Sequence, residues 1–144
     1  MIVQDGRALL IRRATEPARG LWSIPGGLVE LGETLQEAVV REVREETGLE
    51  VEPVQLLEIL DRIYWENGRV RYHYVIADYL CREVGGEVRA ASDADGACWA
   101  ERSDWLAALG IEPNLGGSLV QDAVTARVLE AGWQRAQTLQ GEVE

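Results

Sequence analysis

The stretch GLVELGETLQEAVVREVREETGL, residues 27–49, carries more structural information than any other part of this 144-residue chain. Its residues follow the spacing G-x5-E-x7-R-E-U-x-E-E-x-G-U, in which U is aliphatic. Thr34 and Glu37 form a capping box, because the Thr34 hydroxyl can accept a hydrogen bond from the Glu37 amide and open a helix. Gly48 suits the left-handed backbone conformation that ends a helix. The sequence therefore predicts a helix over residues 35–47.

Three glutamates lie on or beside the side of this helix that should pack inward. At about 100° per residue, Glu42 and Glu46 fall within the apolar stripe and Glu45 lies next to it. Like charges this close repel, and the C-terminal end of a helix disfavours acids further. The arrangement is costly unless a cation lies among the carboxylates, and oxygen ligands suit Mg²⁺ or Mn²⁺. The alternative is a solvated helix end with Arg41 and Arg44 as partners.

The spacing of residues 27–49 resembles the Nudix box, the signature of a family that hydrolyses nucleoside diphosphates linked to another group. No position departs from it, and the segment WSIPGG at 22–27 is similar to the stretch that precedes the box in many members. The resemblance covers nearly the whole chain. It implies an α+β fold, an α/β/α sandwich in which a mixed β-sheet is flanked by the box helix and a C-terminal helix. We expect a single Nudix domain over residues 1–144.

The resemblance also implies roles for individual residues. The metal ligands would be the box glutamates and a carbonyl of the glycine turn: Glu42, Glu45, Glu46 and Gly26, or Gly27 in place of Gly26. Arg41 would hold the loop and a glutamate in place, and Glu33 would orient other groups. The catalytic candidates are Arg41, Glu42 and Glu45. The general base would be one of these two glutamates or, outside the box, Asp93 or Asp95.

Turn signals and alternating polarity divide the rest of the chain. Asp5-Gly6 and Asn67-Gly68 mark two hairpins. The predicted strands are Ala8–Arg13, Trp22–Ile24, Val54–Tyr64, Arg69–Cys81 and Ala97–Glu101. One helix is expected from a Ser103 cap to about Leu109 and another from a capping pattern at 118–121 to about Leu139. Because the chain starts almost at the first hairpin, we expect either a short edge of the sheet or a shifted start of its first strand.

Composition excludes several classes of function. The formal net charge is −11, whereas a surface that binds DNA or RNA should be basic. This charge also repels a phosphate substrate unless a cation is present. With no long apolar run and no signal-peptide pattern, we expect a cytoplasmic protein that binds no membrane. Cys81 and Cys98 are expected as free thiols and His73 as an ordinary strand residue. A homodimer is left open because related proteins often form one.

Candidate substrate contacts are Arg12, Trp22, Arg71, Tyr74 and Asp95. Arginine forks suit phosphate and aromatic faces suit a base, although each residue could equally be an ordinary core or surface residue. The region around 71–99 is similar to members named ADP-ribose pyrophosphatases, so an ADP-ribose-like substrate is favoured. The alternative is a nucleoside triphosphate, including an oxidised one. A module that senses nucleotides without hydrolysing them is a third reading, and the intact box argues against it.

Overall fold

Residues 1–89, 94–110 and 119–143, which the computed structural model describes, form six strands and three α-helices. The strands are β1 (Val3–Gln4), β2 (Arg7–Arg13), β3 (Trp22–Ser23), β4 (Leu49–Glu66), β5 (Arg69–Gly86) and β6 (Ala94–Ala100). The helices are α1 (Leu35–Thr47), α2 (Ser103–Leu106) and α3 (Ala123–Val143), and a 3₁₀ turn (Ala107–Leu109) follows α2. None of the helices in these ranges is long and apolar enough to cross a bilayer.

Two sheets meet at one parallel bridge. In the first sheet β2 pairs antiparallel with β1, β3 and β6, and in the second β4 and β5 form one long hairpin. The bridge between Ile2 and Cys81 joins the sheets and makes the pairing mixed. The α+β fold class is confirmed, and β1 is short, which is the first of the two expected alternatives.

The core lies on both sides of the first sheet because β2 alternates its side chains. Leu9 packs with Val43 of α1 in one apolar cluster, and Leu10 packs with Leu129 of α3 in the other. Each of these leucines is fully buried and contributes about 1.5–3 kcal/mol relative to exposure. The result is a layer of helix on each face of the sheet. Helix α3 shares one of these clusters with β2.

Both hairpin turns have the backbone that their sequence predicts. Asp5 and Gly6 have φ angles of 51° and 73°, and Asn67 and Gly68 repeat these values. Positive φ at both central positions matches the right-handed twist of the paired strands. The strands joined by Asn67-Gly68 are longer than predicted, since β4 starts directly after the end of α1 and β5 runs on to Gly86.

The predicted capping role of Ser103 is wrong. Helix α2 begins at Ser103 itself, after Arg102 at the cap position, and no side chain caps it. The neighbouring Asp104 carboxylate instead accepts the Glu101 amide at 2.8 Å. A carboxylate competes well for exposed amides at a helix start, which the serine pattern did not take into account. The α-helix also ends at Leu106, with only the 3₁₀ turn beyond.

The predicted start of the C-terminal helix is also wrong. Asp122 accepts the Thr125 amide at 3.0 Å, and α3 begins at Ala123 rather than at the 118–121 pattern. Asp122 is held from the other side by Arg62 of β4 at 2.8 Å. The long-range ion pair with Arg62 therefore favours Asp122 as the N-cap of α3. Ser118 lies outside the described residues.

Candidate active site and metal-binding residues

Helix α1 begins and ends where the sequence predicts. The Thr34 hydroxyl accepts the Glu37 amide at 3.1 Å. At the other end Gly48 has φ of 80° and donates to the Arg44 carbonyl at 2.9 Å. A Cβ at Gly48 would lie 2.5 Å from the Glu87 carbonyl oxygen, so the chain passes too close for any side chain. Local sequence thus fixes both ends of the element that carries the box glutamates.

The three glutamates differ in exposure. Glu46 is buried at 4% exposure, and the Glu42 side chain is 14% exposed. The Glu45 side chain is 46% exposed because it lies at the edge of the inward-facing stripe. The expected inward position therefore holds for Glu42 and Glu46, whereas Glu45 borders solvent.

The guanidinium of Arg41 lies among the carboxylates. Its Nε and Nη2 donate to the two oxygens of Glu33 at 2.7 and 2.9 Å. Its Nη1 donates to Glu42 at 2.7 Å and to Glu45 at 3.1 Å. Nη2 also donates to the Leu28 carbonyl at 2.8 Å, which ties the preceding loop to the helix. Arg41 makes the predicted pair with Glu45 and supplies the positive charge that these acids need.

The contact between Arg41 and Glu33 perturbs both groups. Hydrogen bonds from Arg41, together with one from the Glu30 amide, lower the pKa of Glu33 to about 2. The pKa of Arg41 is raised in turn, mainly by its bonds to Glu33 and Glu42. Glu33 therefore stays ionised at any pH at which the protein would work, which fits an orienting role.

The glycine turn presses directly against the glutamates. The Gly26 amide donates to Glu46 Oε2 at 3.3 Å. A Cβ at Gly27 would lie 2.3 Å from the carboxyl carbon of Glu42, so any side chain there would push this carboxylate aside. The Glu42 carboxylate occupies the space that a Cβ at Gly27 would fill. The backbone of the glycine turn thus lies against Glu42 and Glu46, as the resemblance to the Nudix box implies.

A cavity opens beside these groups and contains one acid that the sequence reading missed. Its lining includes Gly26, Gly27, Ala38, Glu42, Asp78 and Tyr79. Desolvation on burial raises the pKa of Asp78, and the charge of Glu58 adds to the effect. The sequence signal that could have revealed Asp78 is its position as the single carboxylate in the apolar run Val75–Leu80 of β5. Asp78 therefore belongs on the wall of the candidate site.

The donor chemistry of the site suits a hard divalent cation. Carboxylate oxygens and backbone carbonyls are the ligands that Mg²⁺ prefers, and Glu42 and Glu46 both reach the Gly26-Gly27 turn. Within residues 1–89, 94–110 and 119–143, however, no three acidic, histidine or cysteine side chains are gathered as a ready metal site. Glu42 and Glu45 bond Arg41 instead. Each bonds Arg41 through one oxygen, which leaves its second carboxylate oxygen as a ligand for a cation.

Three of the five predicted substrate contacts come together on the first sheet. Arg12 of β2 lies opposite Trp22 of β3, and its guanidinium is 5.9 Å from the indole centroid. Its Nε donates to Asp95 of β6 at 2.5 Å. Trp22 precedes the glycine turn by only a few residues in the sequence. Asp93, the other loop acid considered as a base, lies outside the described residues.

The other two predicted contacts lie in the hairpin of β4 and β5. Arg71 is exposed, lies over the Tyr72 ring at 5.7 Å and is 3.7 Å from Glu66. Tyr74 stacks on Tyr72 with ring centroids 5.9 Å apart. The structure thus separates the five residues into two groups, one on the first sheet and one in an aromatic cluster of the hairpin.

Comparison with known proteins agrees with the geometry of the box. The family profile described as the NUDIX domain matches residues 1–116 of this chain. The chain belongs to the Nudix family. Among solved structures, a MutT NUDIX hydrolase from Burkholderia pseudomallei is 38% identical over 70% of this Nudix chain and 78% of its own, with a TM-score of 0.63. An ADP-ribose pyrophosphatase from Streptococcus suis is 25% identical over 94% and 86%, with a TM-score of 0.65.

Curated relatives of this Nudix chain carry more than one name. The ADP-ribose pyrophosphatase of Methanocaldococcus jannaschii is 40% identical over 95 residues, which are 65% of this chain and 54% of that protein. The mouse 8-oxo-dGDP phosphatase NUDT18 is 39% identical over 92 residues, which are 64% of this chain and 26% of that protein. The chain therefore spans about half or less of the length of these relatives. The predicted family is confirmed, and the names differ in substrate.

Proposed function

We propose that this chain hydrolyses the diphosphate bond of a nucleoside diphosphate linked to another group, with Mg²⁺ or Mn²⁺ as cofactor. One observation carries the proposal: a single guanidinium, that of Arg41, bonds Glu33, Glu42 and Glu45 beside a cavity lined by the glycine turn. Arg41 offsets only one negative charge of Glu42, Glu45 and Glu46, and the overall charge of −11 would also repel an anionic substrate, so a further cation is needed for both.

We assign different roles to the acidic residues and to Arg41. Glu42, Glu45, Glu46 and the carbonyl of Gly26 would hold the cation. When bound, the cation would neutralise phosphate charge and lower the pKa of a coordinated water. The paired hydrogen bonds between Arg41 and Glu33 keep the loop and helix in fixed relation, which is how positioning contributes to such reactions.

Glu45 is our choice for the general base. Its side chain is 46% exposed, against 14% for Glu42, so a water molecule can reach it. The loop acid Asp95 is bonded to Arg12 at 2.5 Å, a closer pairing than the 3.1 Å bond of Glu45 to Arg41, which favours the box glutamate over this loop residue. A base must lie within hydrogen-bond reach of the water from which it takes a proton, and Glu45 borders both the acids and solvent.

The favoured substrate is of the ADP-ribose type. The 40% identity to the Methanocaldococcus jannaschii ADP-ribose pyrophosphatase supports it. Arg12, Trp22 and Asp95 form a cluster on the first sheet that could contact a phosphate and a base. An oxidised nucleotide is the second candidate, supported by the 39% identity to an 8-oxo-dGDP phosphatase.

A substrate panel tests this function. Purified protein is given ADP-ribose, 8-oxo-dGDP and nucleoside triphosphates with and without Mg²⁺ or Mn²⁺, and nucleotide products are followed by chromatography. Glu45→Gln and Glu46→Gln should each lower turnover at least ~10²-fold, as loss of a catalytic electrostatic group commonly does. Glu101→Gln is the matched control, because Glu101 is exposed and pairs with Arg7 on another part of the surface.

The outcomes separate the candidate functions. Cation-dependent cleavage of ADP-ribose before the other substrates supports the proposal, and preference for an oxidised nucleotide selects the second candidate. Binding of ADP-ribose without cleavage of any substrate would make the chain a sensor. Losses below about threefold for both box variants would remove these glutamates from the reaction.

A further inference from the structure

Asp78 of β5 lines the cavity, and its carboxylate has no hydrogen bond or salt bridge to any described residue. The amino group of Met1 attracts it through charge but donates to the Tyr79 carbonyl at 2.6 Å. By contrast Glu42, the other acid of the cavity wall, is bonded to Arg41. No oxygen of Asp78 is both sealed from solvent and without a partner, so its unbonded oxygens retain accessible surface. They are therefore open to a ligand.

The position of Asp78 in the sheet is unfavourable for stability. Its cross-strand partner is Glu58 of β4, and like charges directly opposite each other destabilise a sheet. Arg127 of α3 compensates Glu58 at 3.1 Å but makes no bond to Asp78. Partial burial of an unbonded carboxylate adds a desolvation cost, which raises its pKa. A perturbed acid kept on the wall of a cavity is a candidate for ligand recognition.

The chemistry of a free carboxylate restricts what it can bind. An ionised carboxylate only accepts hydrogen bonds, so its partner must carry N–H or O–H donors. Phosphate oxygens do not meet this requirement, because they are anionic acceptors themselves. A metal ion does not fit either, since no three acidic, histidine or cysteine side chains are gathered within the described part of the chain. The partner of Asp78 is therefore a neutral part of the substrate that carries donors.

The rest of the cavity wall is largely apolar. Val29 and Leu35 remain 48% and 45% exposed there, and Ile24, Pro25 and Val39 complete this part of the lining. Binding pockets typically combine such apolar walls with a few polar groups that fix the orientation of the ligand. A group with an apolar side and a donor-bearing edge matches this wall, and both a sugar and a nucleobase have this character.

Distance from the diphosphate decides between sugar and base. Glu42 and the turn of Gly26 and Gly27 lie on the same cavity wall as Asp78, and they belong to the residues assigned to the cation that holds the diphosphate. In a nucleotide the ribose is attached directly to the diphosphate, and the base lies one unit further away. The ribose also presents two adjacent hydroxyls to the two carboxylate oxygens, and acids in dinucleotide-binding folds hold a ribose hydroxyl in this way.

We propose that Asp78 accepts hydrogen bonds from the 2′- and 3′-hydroxyls of the nucleoside ribose and thereby selects ribonucleotides over deoxyribonucleotides. The inference rests on the proposed function, because the cation and the diphosphate bring the ribose into the cavity. The nucleoside ribose is common to substrates of this class, whatever group is linked to the second phosphate. A deoxynucleotide such as 8-oxo-dGDP lacks the 2′ contact and is therefore the poorer substrate.

Paired substrates test the contact. We compare kcat/KM for ADP-ribose and for its 2′-deoxyadenosine analogue, or for the ribo and 2′-deoxy forms of whichever nucleotide the panel selects. Loss of a hydrogen bond to a charged acceptor costs about 10–100-fold, so the wild type should prefer the ribo form by that factor. Asp78→Ala should reduce the preference to below about threefold. Asp61→Asn is the matched control, because Asp61 is an exposed acid of the same hairpin and should keep the wild-type preference.

The ratio of the two substrates separates a direct contact from a structural effect. Loss of a contact slows Asp78→Ala mainly on the ribo form and leaves the 2′-deoxy form nearly unchanged, whereas a distorted site slows both equally. Circular dichroism checks that each variant is folded. If Asp78→Ala does not fold, Asp78→Asn takes its place. This variant keeps one acceptor without the charge and should lower the preference at least about threefold.

Binding measurements keep the test independent of turnover. In the slow Glu45→Gln variant, isothermal titration calorimetry should show the ribo form binding about 10–100-fold more tightly than the 2′-deoxy form, and addition of Asp78→Ala should abolish this difference. If no substrate is cleaved, the proposed function fails while the binding ratio still tests Asp78. A chain that binds both forms equally or binds neither overturns the role of Asp78, as does an Asp78→Ala chain that keeps the preference or slows equally on both forms.

Discussion

Replacing Gly27 by alanine should damage the site without unfolding the protein. The new Cβ would lie 2.3 Å from the carboxyl carbon of Glu42, so this carboxylate must retreat by about 1 Å to reach ordinary contact at 3.4 Å. It is the end of a flexible side chain, and the backbone of Gly27 has no positive φ, so stability should change little. A misplacement of about 1 Å in an active site can cost ~10²-fold in rate, and we expect kcat to fall by that order.

The assay compares kcat and KM of Gly27→Ala with those of the wild type on the best substrate of the panel. Gly26→Ala is the comparison variant, because a Cβ there has no heavy atom within 4 Å, and its loss should be at most a few-fold. Thermal unfolding by circular dichroism shows whether both variants retain the fold. If Gly27→Ala keeps more than about a third of wild-type kcat, the close approach to Glu42 has no catalytic significance.

Two further predictions concern stability. Gly48→Ala should lower the free energy of unfolding by at least ~1 kcal/mol, because φ there is 80° and the Glu87 carbonyl oxygen would lie 2.5 Å from the new Cβ; an unchanged urea midpoint would contradict this. The folded-state pKa of Glu33 lies near 2, below its ordinary 4.5, so its bonds to Arg41 stabilise fully above pH 4.5 and are lost as the pH falls toward 2. The difference in urea stability between wild type and Glu33→Gln should therefore be largest above pH 4.5 and shrink toward pH 2, and a difference that is constant across this window would refute the assignment.

Local signals predicted the box helix α1 well. The start of α1 depends on a contact between Thr34 and Glu37, and its end depends on the backbone of Gly48, so all the determinants lie within a few residues. The two-residue turns at Asp5-Gly6 and Asn67-Gly68 are equally local. Such features can be read from one sequence because no distant part of the chain has to be known.

Features set by distant contacts could not be predicted in the same way. The true cap of α3 is Asp122, and Arg62 of β4 helps to fix it across the fold. Asp78 enters the cavity wall only because β5 passes beside the glycine turn. A helical projection also could not show that Glu45 remains half exposed, since this depends on which neighbours cover its edge of α1. In each case the deciding partner is remote in sequence.

The position of Arg41 bears on how the protein behaves when divalent ions are scarce. With a resident guanidinium bonded to Glu42 and Glu45, the acidic end of α1 is compensated from the moment the helix docks. Folding therefore does not have to wait for a metal, in contrast to small domains that collapse only around their ion. Because Arg41 holds Glu42 and Glu45 by one oxygen each, a cation can bind or leave through the other oxygens while the architecture stays intact.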